Sequence, residues 1–270
     1  MVGVLGVSAS AILVRFSQAP SGVTAAYRLG WTVLLLLPVV LLRCRAELRR
    51  VTARDLVLCG ASGVLLALHF LTWFESLKRT SVASSTVLVS TEVIFTALGF
   101  ALFLHGKIPR LGVWAILLAF GGSALLALSG GGGAGELSGN LLALAAASAA
   151  AVYTLIGRIQ RGHLSTTVYT FLTYLACFLT LLLGTAAAGT PPTGYGGREW
   201  LIGLALAVLC TLLGHSLFSW CLKYLSPSYV SAAKLCEPVF SSLAAIPLFG
   251  EVPGPLQLAG GAAVLGAVLL

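Results

Sequence analysis

Two stretches of the chain, about half its length apart, read alike, and both carry charge through apolar sequence. The first is Leu77-Lys78-Arg79-Thr80-Ser81, then Glu92-Val93-Ile94-Phe95, then Gly106-Lys107-Ile108-Pro109. The second is Leu222-Lys223-Tyr224-Leu225-Ser226, then Glu237-Pro238-Val239-Phe240, then Gly250-Glu251-Val252-Pro253. Lys78/Lys223, Ser81/Ser226, Glu92/Glu237, Phe95/Phe240 and Leu98/Leu243 share one offset, and a single gap aligns Gly106/Gly250 and Pro109/Pro253. A duplicated apolar half with an acid at the same place in each copy is the sequence mark of a secondary transporter.

The solvent for most of this chain is lipid. It is 58% hydrophobic and 9% charged, where a soluble domain carries roughly 25% charged residues. The net charge of +8 is not a nucleic-acid footprint, because the basic residues sit between apolar runs and interleave with no aromatics; membrane topology accounts for them. Of six cysteines, Cys59, Cys177, Cys210, Cys221 and Cys236 fall inside apolar runs and Cys44 beside a basic loop. None forms a CxxC and no His joins them at ligand spacing, so neither a metal nor another cofactor is expected. The apolar start has no basic n-region and reads as part of the first span rather than a cleavable signal.

A membrane helix needs about 20 largely apolar residues. The expected spans are 2–18, 22–43, 55–76, 81–104, 111–128, 139–158, 166–187, 200–221, 227–248 and 255–270, an all-α integral membrane fold of ten helices. With the N-terminus inside, the cytoplasmic connections hold Arg43, Arg45, Arg49, Arg50, Arg54, Lys107, Arg110, Arg158, Arg161 and Lys223, against Arg15, Lys78, Arg79 and Arg198 outside. That bias predicts both termini in the cytoplasm. The two repeats, 1–128 and 139–270, are then joined outside by the Gly-rich segment 129–138. An odd number of spans per repeat makes the second copy enter from the opposite face, a 5+5 inverted repeat.

Further motifs carry a family resemblance: Leu68-His69-Phe70-Leu71-Thr72-Trp73, Thr80-Ser81-Val82-Ala83-Ser84-Ser85, Gly214-His215-Ser216-Leu217-Phe218, Ala25-Ala26-Tyr27-Arg28, and Glu237-Pro238-Val239 with Gly250-Glu251-Val252-Pro253. Together they resemble EamA-type members of the drug/metabolite transporter superfamily, over nearly the whole chain. The resemblance implies a central cavity lined by the first four helices of each half, a plasma-membrane carrier, and export of amino acids or other metabolites. Two departures stand out: Val93 where the second repeat has Pro238, and Lys107 where it has Glu251. A bend is therefore expected in the ninth span, with Pro238 as its hinge, and none in the fourth.

Charge inside a bilayer needs a partner or a wet cavity, since it costs roughly 2.5–3.5 kcal/mol at a helix centre. Arg28, His69, Glu92, His215, Lys234 and Glu237 meet that description. Lys234 and Glu237 are three apart, on one helix face, and are expected to pair. Such a pair either makes the segment insertable or opens when an anionic substrate or a proton competes. Glu92 has no basic neighbour on its own helix. It pairs with Arg28 across helices or, unpaired, exchanges protons as the coupling ion. His69 and His215, at near-equivalent places, are either packed imidazoles or cavity groups. Trp73 shares a face with His69, giving an aromatic wall that suits an amphipathic molecule. Tyr27, Thr91 and Tyr153 complete the candidate cavity.

An intramembrane enzyme fits poorly, since the chain has no HExxH, no GxSxG and only one aspartate, Asp55. A channel would need a ring of repeated filter residues. Within transport, amino acids or related amphipathic compounds are the expected cargo. A nucleotide-sugar or nucleobase-type carrier and a proton-coupled cationic drug exporter stand as alternatives.

Overall fold

The computed structural model describes residues 2–103, 105, 110–129, 134–232, 234 and 236–269. Gly106-Lys107-Ile108-Pro109 and the glycine run Gly130–Gly133 lie outside the described residues. Every regular element among those described is helical: α1 Val2–Phe16, α2 Ser21–Arg43, the short α3 Arg45–Leu48, α4 Ala53–Arg79, α5 Val82–Val89, α6 Glu92–Phe103, α7 Arg110–Ser129, α8 Ala134–Gln160, α9 Thr166–Ala187, α10 Gly197–Ala205, a π-helical stretch Leu206–His215, α11 Ser216–Cys221, α12 Pro227–Ala232, α13 Cys236–Phe249 and α14 Pro255–Leu269. Six stretches among the described residues are long and apolar enough to cross a membrane: Ser21–Arg43, Ala53–Arg79, Val82–Phe103, Gly135–Gln160, Thr166–Ala187 and Gly197–Cys221. Gly3–Phe16, Glu237–Phe249 and Pro255–Ala267 are shorter and equally apolar.

Local chemistry sets the helix ends. Thr52 and Asp55 form a reciprocal capping box at the start of α4, while Ser81 and Ser165 cap α5 and α9 through their hydroxyls. Gly250 ends α13 at φ 67°, a conformation glycine adopts without strain. That turn delivers Glu251 to the far end of α1.

Several of the main packing contacts fall in pairs that relate the first and second parts of the chain. α4 lies against α8, and α1 against the π-helical stretch; α4 meets α9, and α10 meets α2. α5 and α6 pack on α8 as α13 packs on α1. α5 contacts α13 while α6 contacts α12, so the two broken segments cross antiparallel. Close approach depends on small residues. A Cβ at Gly6 would come within 2.4 Å of the Leu209 carbonyl oxygen, and one at Gly122 within 2.8 Å of that of Gly260. The second contact packs α7 closely on α14. Leucines such as Leu42, Leu183 and Leu201 point outward from the bundle, the surface a lipid solvent calls for.

One expectation fails here. The fourth span breaks as the ninth does: α5 gives way to α6 at Ser90-Thr91, directly before Glu92, and α12 gives way to α13 directly before Cys236-Glu237. The second break lies directly before Pro238, whose ring excludes a continuous helix through the carbonyl of Lys234, four residues earlier; the first break has no proline. At the other break, the Ser90 hydroxyl donates to the Thr86 carbonyl at 2.8 Å and that of Thr91 to Leu88 at 2.7 Å. Such hydroxyls compete with the helix for its own backbone acceptors.

Candidate functional site

A cavity of about 40 Å³ lies between the two halves at the level of both helix breaks. The first half contributes His69, Trp73 and Glu92, and the second Tyr153, His215, Lys234 and Glu237. Its volume corresponds to a few waters at about 10–15 Å³ each. Apolar walls come from Val7, Leu66 and Val89.

The aromatic side is ordered by stacking. Trp73 lies on His69 with ring centroids 5.7 Å apart, and His69 meets His215 edge-on at 6.4 Å. The two histidines, near-equivalent in the repeats, therefore come together in one cavity. His69 Nδ1 is bound to the Ala146 carbonyl at 3.0 Å, and the Tyr153 hydroxyl lies 3.2 Å from that of Ser219.

The expected Lys234–Glu237 pair does not form, and Glu92 follows neither of its two alternatives: the two halves are joined by a different pair. Lys234 Nζ donates to the two Glu92 carboxylate oxygens at 2.9 and 3.0 Å, and Thr154 donates to the same carboxylate at 2.9 Å. Lys234 lies in the break between α12 and α13, so the three-residue spacing to Glu237 does not put the two on one continuous helix face. Glu237 is left at 8% exposure, lining the cavity, with no hydrogen bond or ion pair among the described residues. Arg28 does not meet Glu92 either. Its Nε donates to Thr211 Oγ1 at 2.7 Å and its Nη1 to Ser10 Oγ at 3.0 Å, with the guanidinium carbon 4.2 Å from the centre of the Phe70 ring. The π-helical stretch makes this possible by presenting Thr211 to α2.

Two further candidates sit elsewhere. Tyr27 stacks on Trp200 at 4.2 Å and donates to the Pro192 carbonyl at 2.8 Å, beside a separate apolar pocket between α2, α9 and α10. Thr91 is buried against its own helix, and its neighbour Ser90 lines the cavity instead. Ser10 was missed altogether; as a serine in an apolar first span it carried no motif. Tyr169 and Tyr174 bridge helices, to Ser62 at 3.0 Å and Ser216 at 3.2 Å. Among the described residues no group of three His, Cys, Asp or Glu side chains is placed to hold a metal.

Both ends of the bundle are closed by arginine. At one end Arg15 pairs with Glu251 and donates to the Leu77 carbonyl at 2.6 Å, while Glu251 also accepts from the Val82 N–H at 2.7 Å. At the other Arg158 donates to the Leu222 carbonyl at 2.6 Å. Leu77 and Leu222 are equivalent in the repeats, so the two arginine contacts correspond.

Comparison with known proteins agrees with this architecture. The profile of a family described as the EamA-like transporter family matches residues 1–128 and again 137–270. A protein named pseudopaline exporter CntI from Pseudomonas aeruginosa (strain UCBPP-PA14) is 24% identical over 207 residues, covering 77% of this chain and 72% of the relative. One named probable terminal-alkyne amino-acid exporter from Streptantibioticus cattleyicolor is 28% identical over 235 residues, covering 82% of this chain and 75% of the relative. One crystal structure superposes with a TM-score of 0.71 at 18% identity, covering 98% of this chain and 93% of its own; at that identity the likeness is one of fold alone.

Proposed function

Since the chain belongs to the EamA-like transporter family, we propose that this multi-pass membrane protein exports amino acids or related small amphipathic metabolites by alternating access. The observation that carries this reading is the cavity itself. It joins both halves and combines an aromatic wall with carboxylate, ammonium and imidazole groups. A solute held there is reached from one side or the other as the halves rock, and its direction is set by differential affinity between the two facing states. The names of the two relatives, both exporters and one of an amino acid, support the cargo class loosely.

In this reading the chain has ten spans in two inverted repeats, 1–128 and 139–270, with the linker 129–138 outside and both termini in the cytoplasm of a plasma (inner) membrane. The paired contacts between halves, the antiparallel crossing of α5–α6 with α12–α13, and the matched Arg15–Leu77 and Arg158–Leu222 hydrogen bonds support it. Broken helices near the midplane are how such carriers expose polar backbone to a substrate. Protons are the proposed coupling ion, exchanged at Glu237, which faces the cavity, rather than at the paired Glu92.

Uptake into proteoliposomes from a mixed metabolite panel, with and without a proton gradient, tests this. Alternating access predicts saturable, gradient-dependent movement of amino acids that emerge chemically unchanged. Flux linear in concentration, or an altered product, would contradict it.

A further inference from the structure

We infer that Glu237, His215 and Trp73 form the docking site for the charged backbone of an α-amino acid, Glu237 receiving its ammonium group and the Trp73 and His215 ring nitrogens its carboxylate. This rests on the carrier reading above and sharpens its substrate class.

Most polar groups lining the cavity are already engaged. Glu92 is held by Lys234 and Thr154, Lys234 by both Glu92 oxygens, His69 by the Ala146 carbonyl, Tyr153 by Ser219 and Ser10 by Arg28. Three are not. The Trp73 indole N–H is buried with no acceptor. Glu237 and His215 line the same cavity without a hydrogen bond or ion pair among the described residues. Buried polar groups in folded proteins are nearly always satisfied. Three exceptions converging on one small cavity therefore describe the missing ligand by complement.

The inventory is one carboxyl group, an anionic acceptor once it has given up its proton, and two ring nitrogens able to donate. A bare organic cation satisfies Glu237 and leaves the Trp73 N–H orphaned. A simple carboxylate or phosphate does the reverse, and it meets Glu237 as a like charge. An α-amino acid supplies both complements on adjacent atoms. Of the nearby cations, Lys234 is committed to Glu92, and Arg28 donates to Thr211 and Ser10 while its Nη2 stays buried without a partner; neither makes an ion pair with Glu237 among the described residues. The His69–Trp73 stack and Val7, Leu66 and Val89 leave an apolar surround for the side chain once the cavity widens.

The test uses the full chain in proteoliposomes and three probes: a mixture of the common amino acids, the same mixture N-acetylated, and the same mixture as C-terminal amides. The expected result is transport of the free amino acids, with both derivatised mixtures slower by at least about tenfold, the penalty for leaving a site's polar group unpaired. Glu237→Gln should abolish the preference for a free ammonium while Glu237→Asp restores it. Trp73→Phe, which removes the indole N–H and shrinks the ring while keeping it aromatic, should narrow the preference for acids over amides. Gel-filtration profiles of the variants matching the unsubstituted protein show that the fold is intact. N-acetylated amino acids carried as well as free ones would overturn the assignment while leaving the carrier reading in place. Amides carried as well as acids would overturn its carboxylate half. No flux of any mixture would instead sink the amino-acid carrier reading, and the docking site with it.

Discussion

Glu92 and Glu237 hold the same position in the two halves, each at the start of the half-helix that follows a break, yet their surroundings are opposite. Glu92 is bound on both oxygens by Lys234 and again by Thr154. Glu237 faces the cavity with no partner among the described residues. The lysine at 234 has Val89 at the matching offset in the first part of the chain, and it binds the acid of that first part rather than Glu237. One carboxylate thus fastens the halves together, while the other is free to meet solute. A symmetric scaffold needs that inequality if a single site is to be both held together and open.

Breaking the fastened side carries the largest expected effect. Glu92→Gln strands Lys234 as a buried cation and should destabilise the folded protein by about 3–5 kcal/mol, read as a loss of thermal stability in detergent. Adding Lys234→Met to Glu92→Gln removes the stranded charge and should recover most of that loss. Glu237→Gln strands nothing, so its thermal stability should match or exceed that of the starting protein, while amino-acid flux in proteoliposomes falls at least about tenfold.

Smaller effects separate the two ends of the bundle. Arg15 and Glu251 form a half-buried pair, with side chains 25% and 19% exposed, and Glu251 also holds the first N–H of α5. Glu251→Gln should cost about 1 kcal/mol in thermal unfolding. It should also speed exchange at that end, where Arg158→Gln at the other end loosens only contacts to backbone carbonyls. Tyr27→Phe should be the mildest change. It loses one hydrogen bond to Pro192, about 1 kcal/mol, and should leave flux unaltered because Tyr27 lies outside the cavity.

The repeat was legible because charge in apolar sequence is rare enough to align by eye. The cavity was legible because its ionisable and aromatic members are costly anywhere else in a membrane: His69, Trp73, Glu92, Tyr153, His215, Lys234 and Glu237 all meet there. Partner choice was not. Spacing along the chain predicts pairing only on an unbroken helix, and the break around Lys234 turns it toward an acid 142 residues away. Whether Arg28 pairs with Glu92 was left open by the sequence. Arg28 is held by two hydroxyls and the Phe70 ring, an arrangement that depends on a π-helical stretch with no local sequence signal. Proline marked the ninth span as bent, but serine and threonine break the fourth just as well through their own hydroxyls. Tyr27 was a candidate through the Ala25-Ala26-Tyr27-Arg28 motif, and successive residues on a helix face different ways.

The central claim is that one crevice between the halves opens to each side in turn. Ser90 lines it, so Ser90→Cys in a background with the six native cysteines replaced by serine or alanine provides a reporter. Sealed vesicles of known orientation would be treated with a membrane-impermeant maleimide from one side or the other. Alternating access predicts labelling from both sides, each protected by prior labelling from the other and each slowed by a transported amino acid. Labelling from one side only, or from neither under conditions that support flux, would contradict it.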